Sequence, residues 1–281
     1  MTTIKTINGE SVLSDLVKTW LKYLPQRYSK STVDLYKYVL GEFLITLPPK
    51  LFKAQITPFH IENYINNLVK SKHCNNTCNR YLAALRSFFH WAEDNYHIEN
   101  PTKHIKDFIV PPPIVRCLSD KEYQQVLSAT TGLENAALQF LGNTGLRRNE
   151  FRFLQWKDFS SDFVRVLGKG NKQRFVPLNH ICKHLIEKYP QNGKLQPDFV
   201  SAFEYREALY LLGQRLARKL DISPFGPHAF RHFFATRLIR AGVPLIKVSK
   251  LLGHSSVTIT EKIYVHLVPM DFSGLTDCLE L

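Results

Sequence analysis

The chain has 281 residues, 44% of them hydrophobic and 22% charged, a composition that buries a core and excludes a disordered tail or a fibrous repeat. Thirty-seven Lys and Arg against twenty-four Asp and Glu leave a net charge of +13, spread as +4 over residues 1–100 and +9 over residues 101–281. An excess carried by both halves points to a polyanion gripped by the whole molecule, nucleic acid being the commonest, and the lack of any long apolar run or apolar leader argues against a membrane span or a secretory signal. Five cysteines without framework spacing read as reduced thiols of a cytoplasmic protein.

From Ser11 to about Tyr96 the pattern is helical. Ser11 can cap a helix whose stripe is Leu13, Leu16, Val17, Trp20 and Leu24, ended by Pro25. Ser31-Thr32 opens a second, with Leu35, Tyr36, Val39, Leu40 and Phe43. Thr57-Pro58 places a cap before a first-turn proline and starts a third, and Asn76-Thr77 starts a fourth that carries Tyr81, Leu82, Leu85, Phe88, Phe89 and Ala92. Four helices with short connections make a small bundle, predicted as a domain over residues 1–100. Residues 101–115 include Pro111-Pro112-Pro113, which cannot be helical, and read as an interdomain linker. The second domain, 116–281, opens on the capping-box pattern Ser119-x-x-Glu122. It is predicted to be mixed. Asp162–Val166 and Gln173–Val176 form a hairpin around Gly168-Lys169-Gly170-Asn171, and helices follow at 183–189, 205–220, 227–241, 244–252 and 256–267. The expected fold is mainly α, a helical bundle followed by a mixed α+β domain with a small antiparallel sheet.

Four clusters and one tyrosine hold polar groups at helix ends and turns. They are Thr144-Gly145-Leu146-Arg147-Arg148-Asn149-Glu150, the hairpin tip with Lys169, Lys172 and Arg174, Gly226-Pro227-His228-Ala229-Phe230-Arg231-His232, and Leu251-Leu252-Gly253-His254; Tyr264 lies in the last helix. Singly, each has a bland reading: a surface ion pair, a solvated turn, a capping histidine, a boundary tyrosine. Together they suit one chemistry. Two arginines, two histidines and a lysine can neutralise a phosphate and donate to its non-bridging oxygens. A tyrosine hydroxyl can then attack phosphorus, and the lysine can protonate the leaving oxygen. No acidic metal-binding cluster accompanies them, so no cofactor is expected.

Thr144-Gly145-Leu146-Arg147-x-x-Glu150, Gly168-Lys169-Gly170-Asn171-Lys172, His228-x-x-Arg231 and Leu251-Leu252-Gly253-His254-Ser255, in that order before Tyr264, resemble the tyrosine recombinase (phage integrase) family, closest to its Xer-type and integrase members. The resemblance implies that the amino-terminal bundle is a SAM-like core-binding domain and that Arg147 and Arg231 clamp the phosphate. It makes Lys169 the general acid, His228 a general base or phosphate ligand, His254 the second histidine and Tyr264 the nucleophile, with Glu150 supporting the first arginine. It also implies a DNA-associated protein that forms a homo-tetramer on two double-stranded DNA sites and proceeds through a Holliday junction, and it leaves room for an accessory DNA-binding protein. Lys70, Lys72, Arg80, Arg86, Arg148, Lys172 and Arg174 are expected at DNA phosphates or a groove. The apolar tail 270–281 is expected to pack on a neighbouring protomer.

Three rivals differ in class. A type IB topoisomerase shares the catalytic set but relaxes DNA as a monomer, and the Gly-Lys-Gly-Asn-Lys and Leu-Leu-Gly-His forms favour the recombinase. A catalytically silent site-binding protein would not need all six polar positions filled. A metalloenzyme could use His180-x-x-x-His184, His228-x-x-x-His232 or His73-Cys74-x-x-x-Cys78, yet there is no His-Glu-x-x-His and no second cysteine pair at zinc spacing. Those residues read as surface histidines and buried thiols.

Overall fold

The computed structural model describes residues 13–48, 56–111, 115–168, 172–254 and 256–264. The chain divides into two compact units, with the break between residues 112 and 113. Among the described residues no helix is long and apolar enough to cross a membrane.

In the first unit α1 (Leu13–Tyr23) buries Leu13, Leu16, Val17 and Trp20, the stripe read from the sequence. Its predicted cap, Ser11, lies outside the described residues. Pro25 ends α1 by drawing the chain into a 3₁₀ turn over Leu24–Gln26. α2 (Lys30–Ile45) begins earlier than Ser31-Thr32 suggested, because Ser29 takes the extended cap conformation. α3 (Pro58–Lys70) starts at Thr57, whose backbone N–H donates to Nδ1 of His60 at 3.2 Å. α4 (Asn75–Tyr96) is the central rod. Phe88 and Phe89 on α4 meet Trp20 and Phe43 edge to face, with ring centroids 5.5 and 6.3 Å apart. Burying each such ring contributes roughly 1.5–3 kcal/mol, as do the leucines and isoleucines packed around them, so the seam is one part of a continuous apolar core.

The segment read as a linker is in large part fastened to this unit. Asn79 on α4 donates to the Phe108 carbonyl at 2.9 Å and accepts from the Phe108 N–H at 2.8 Å, and Asn75 donates to the Ile109 carbonyl at 2.9 Å. The first unit therefore runs past the expected boundary at residue 100. Arg86 serves the same purpose: its guanidinium closes on Asp107 and the Ile105 carbonyl. It was expected at a phosphate, and the structure makes it an internal tie. Lys70, Lys72 and Arg80 are exposed.

The second unit opens with α5 (Asp120–Ser128). Here the predicted capping box forms: Glu122 N–H donates to Ser119 Oγ at 3.2 Å and Ser119 N–H to Glu122 Oε2 at 2.8 Å. α6 (Gly132–Thr144), α7 (Arg148–Arg152), the hairpin strands β1 (Phe163–Leu167) and β2 (Gln173–Pro177), and α8 (His180–Lys188) follow. The strands are antiparallel, with Val164 opposite Val176 and Val166 opposite Arg174. α8 starts three residues before its predicted beginning because Asn179 caps it, accepting from the Cys182 N–H at 3.0 Å. α9 (Asp198–Ser201), α10 (Ala208–Leu220), α11 (Pro227–Arg240), α12 (Leu245–Leu252) and α13 (Val257–Tyr264) complete the unit. Phe140, Phe151, Phe199, Phe230 and Phe233 form its main core. A smaller cluster of Ala235, Ile239, Val248, Leu252 and Tyr264 binds α11, α12 and α13 together. The turn at 169–171 and the tail from residue 265 lie outside the described residues, so Lys169 and the expected tail contact do too.

Candidate active site

The site is organised by the end of α12. The last carbonyls of a helix have no partner within it and carry the negative end of its dipole. Here three successive ones each accept from a different arginine. Arg174 Nε donates to the Leu251 carbonyl at 2.7 Å, Arg231 Nη2 to the Leu252 carbonyl at 2.6 Å, and Arg147 Nη2 to the Gly253 carbonyl at 3.2 Å. Gly253 stops the helix with φ of +65°, and a Cβ there would lie 2.9 Å from Arg174 Cδ. Both facts require glycine. Gly145 does the matching job at the end of α6: its φ is +63°, a Cβ would meet the Phe234 ring at 2.4 Å, and its carbonyl accepts from Arg231 Nη1 at 2.9 Å. Arg231 is thus held by two carbonyls and is only 4% exposed.

Glu150 is the counter-ion of this cluster. Its carboxylate accepts from the Arg147 backbone N–H at 2.7 Å, from Arg147 Nη1 at 2.8 Å, and from both terminal nitrogens of Arg174 at 2.8 and 2.7 Å. Burial pushes its carboxyl up, but the Arg174 fork and the Arg147 contacts outweigh burial and hold it down at about 2. Arg174 was expected at the DNA backbone. The structure places it instead in the interior, where it joins β2, α7 and the end of α12. Strand alternation carries the signal: Arg174 shares the inward face of Val176, while Gln173, Phe175 and Pro177 are exposed. Arg148 reaches Glu207 at 3.3 Å, and Lys172 is exposed.

Among the described residues Arg231 has no carboxylate within ion-pair distance. Burial, then the nearby Arg147 charge, pushes its guanidinium down to about 9, which leaves it charged at neutral pH. Repulsion between these two guanidiniums is relieved by any anion that comes between them. A cleft of about 470 Å³, lined in part by Arg147, Glu150, Phe153, Leu167 and Gly168, opens beside the first of them and next to the residue preceding Lys169.

The histidines differ in their surroundings. His228, in the first turn of α11, presents its side chain at the surface; packing against the protein and then the charges of Arg231, Arg148 and Arg147 keep its imidazole below the usual value. His254 accepts or donates at Nδ1 with Thr260 Oγ1 at 2.7 Å, and burial followed by Arg231 and Arg147 lowers it to about 4. His232 is the residue that the sequence motifs passed over. Its Nδ1 is hydrogen-bonded to the hydroxyl of Tyr264, across from α11 to α13. Burial, then the charges of His228 and Arg231, lowers it to about 4. Tyr264 is 3% exposed, and burial raises its phenol well above the ordinary tyrosine range. The spacing His228-x-x-x-His232 was visible in the sequence as a metal pattern, whereas its partner 32 residues later was not.

Residues 116–270 match the phage integrase family, and residues 17–95 match the phage integrase N-terminal SAM-like domain. The tyrosine recombinase XerC of Pediococcus pentosaceus is 29% identical over 282 aligned positions, covering 90% of this chain and 93% of that protein. The fold is that of a lambda integrase dimer bound to a COC' core site, at a TM-score of 0.74 and 18% identity over 90% of this chain and 77% of that one. It is matched nearly as well by a lambda integrase tetramer bound to a Holliday junction, with a TM-score of 0.72 and 17% identity over 90% of this chain and 80% of that one.

Proposed function

Because the chain belongs to the phage integrase family of tyrosine recombinases, we propose that it cuts and rejoins double-stranded DNA at specific sites through a 3′-phosphotyrosyl intermediate on Tyr264. Four copies bring two sites together and exchange strands through a Holliday junction. The observation that carries this reading is the convergence of Arg147 and Arg231 on the end of α12, with Glu150 holding Arg147 and the buried Tyr264 on the helix that follows.

In this reading the scissile phosphate lies between Arg147 and Arg231. Both guanidiniums are already oriented by carbonyls and, for Arg147, by Glu150, so little reorganisation accompanies phosphate binding. His228 and His254 donate to the non-bridging oxygens when phosphate charge raises their affinity for a proton. The Tyr264 hydroxyl attacks phosphorus, the 5′-oxygen leaves with a proton from Lys169, and the phosphodiester energy is kept in the tyrosyl ester. Rejoining reverses these steps with a different 5′-hydroxyl. The first unit, with the exposed Lys70, Lys72 and Arg80, contacts the phosphates of the duplex.

The test is covalent trapping. The protein is incubated in EDTA with nicked suicide duplexes from a pool of element and host DNA, and adducts are resolved on denaturing gels. Wild type should form an adduct that Tyr264→Phe lacks at unchanged DNA affinity, and sequencing the trapped DNA gives the site. Plasmid relaxation without a recombinant product would replace the recombinase by a topoisomerase. Tight site-specific binding without any adduct would leave a DNA-binding protein.

A further inference from the structure

We propose that His232 is the base that accepts the proton of Tyr264 as its hydroxyl attacks phosphorus. The proposal rests on the reading of Tyr264 as the nucleophile and adds a seventh residue to the six assigned by motif. His232 Nδ1 makes the one side-chain hydrogen bond of the Tyr264 hydroxyl among the described residues, and the two rings lie with centroids 5.7 Å apart. His228, the motif histidine, presents its side chain at the surface four residues earlier and makes no hydrogen bond to that hydroxyl.

Burial favours an internal acceptor. Tyr264 is 3% exposed and burial shifts its phenol well above neutrality, so at neutral pH bulk hydroxide and spontaneous ionisation supply a phenolate only slowly. His232 is neutral at pH 7, and a neutral imidazole has one N–H. With the phenol donating to Nδ1, that N–H is on Nε2, and the Nδ1 lone pair is aimed at the proton that must leave. The groups facing this imidazole are His228 and Arg231 on its own helix, His254 after α12, and Tyr264 on α13. Cys117, against Thr236 at 3.6 Å, bears on the phenol. All the charged ones are cationic and hold the ring down in the empty site. A phosphate beside Arg231 brings opposite charge and lifts the imidazole part of the way back, strengthening it as a base while leaving it neutral above about pH 6.

The step balances. The bond from Tyr264 Oη to phosphorus forms as the bond from phosphorus to the 5′-oxygen breaks. The phenolic proton passes to His232 Nδ1, and the 5′-oxygen takes its proton from the acid assigned to Lys169. On rejoining, the imidazolium returns its proton to Tyr264 Oη as the tyrosyl ester is displaced.

The test measures single-turnover cleavage of a nicked duplex, carrying the site recovered from trapped adducts, with a 5′-bridging phosphorothiolate at the scissile bond. A thiolate leaves without an acid, so the pH profile reports the base alone. Wild type should be flat from about pH 6 to 8.5. His232→Asn offers an amide oxygen to the hydroxyl in place of Nδ1 but takes no proton. It should be slower by roughly 10²–10⁴ at pH 7 and gain about tenfold per pH unit as hydroxide replaces the base. His228→Asn should stay flat. The proposal is overturned if His232→Asn keeps the wild-type rate, cuts faster, or slows uniformly with a flat profile. It is equally overturned if the slope appears in His228→Asn, or if wild type itself climbs tenfold per unit, an outcome that needs no variant to fold. An adduct lost in Tyr264→Phe but normal in His232→Asn defeats this proposal alone. Absence of any wild-type adduct defeats the nucleophile reading and this one with it.

Discussion

The two units solve the problem of burial in opposite ways. Up to residue 111 the described interior is apolar and aromatic, and Thr102 is its only buried polar side chain. In the second unit Glu150, Asp158, Arg231, Thr144, Thr236, Ser249 and Thr260 are all buried. The first unit is therefore held by non-directional packing, which leaves its surface free to vary. The second places charges where they are costly and keeps them only because every named partner is in place, so its stability and its chemistry share the same atoms. A substitution inside the first unit should weaken folding alone; one inside the second should weaken both.

The largest effect should come from Glu150→Gln. Removing the charge between Arg147 and Arg174 should cost about 3–5 kcal/mol in denaturant unfolding and abolish adduct formation at pH 7. The same residue contributes to the acid limb, together with Glu122, whose carboxyl Arg116 also holds down at about 2. The folded value of Glu150, about 2, lies below the ordinary 4.5, so its contribution is complete above pH 4.5 and is lost as pH falls toward 2. His232 and His254, lowered from 6.5 to about 4, contribute above pH 6.5 and lose that contribution as pH falls through 4. Wild type should lose stability in both windows, and Glu150→Gln should lose less than wild type in the lower one, where Glu122 still titrates. A variant that loses as much as wild type in the lower window would show that Glu150 contributes nothing there.

Next comes Leu82→Ala, at a fully buried position of α4. It should cost about 3 kcal/mol through lost apolar transfer and a cavity. Below its melting temperature the variant should still form the tyrosyl adduct at the wild-type rate on saturating DNA. A slower adduct in the folded variant would break the contrast between the units. The smallest expected effect on stability is that of Gly253→Ala, about 1–2 kcal/mol for a left-handed residue with a Cβ. It sharpens the contrast, because its loss of cleavage should far exceed its loss of stability: Arg174 must shift to admit the methyl group.

Much of this is legible in the sequence alone. The Ser119-x-x-Glu122 box, the Pro227 start of α11 and the glycine ends at 145 and 253 are local signals, read within one helical turn, and they formed where expected. The fold class followed from them and from the apolar stripes. What escaped were partners supplied from far along the chain. Arg174 looked like a solvated hairpin charge because Glu150 and the Leu251 carbonyl lie 24 and 77 residues away. His232 looked like half of a metal pair because Tyr264 meets it only after three helices have packed. Arg86 looked like a phosphate contact because Asp107 sits beyond the end of its helix. Charge type is written in the sequence; which charge answers it is decided by tertiary packing.

The three consecutive carbonyls at the end of α12 also dictate where the chain can change length. Each residue added within α12 turns its end by about 100°, so one insertion before Leu251 would swing all three acceptors away from Arg174, Arg231 and Arg147 together. Residues 190–194, exposed and without regular structure, impose no such condition. Insertions and deletions among descendants of this sequence should therefore accumulate in that turn and never within α12, whatever DNA site each descendant comes to read.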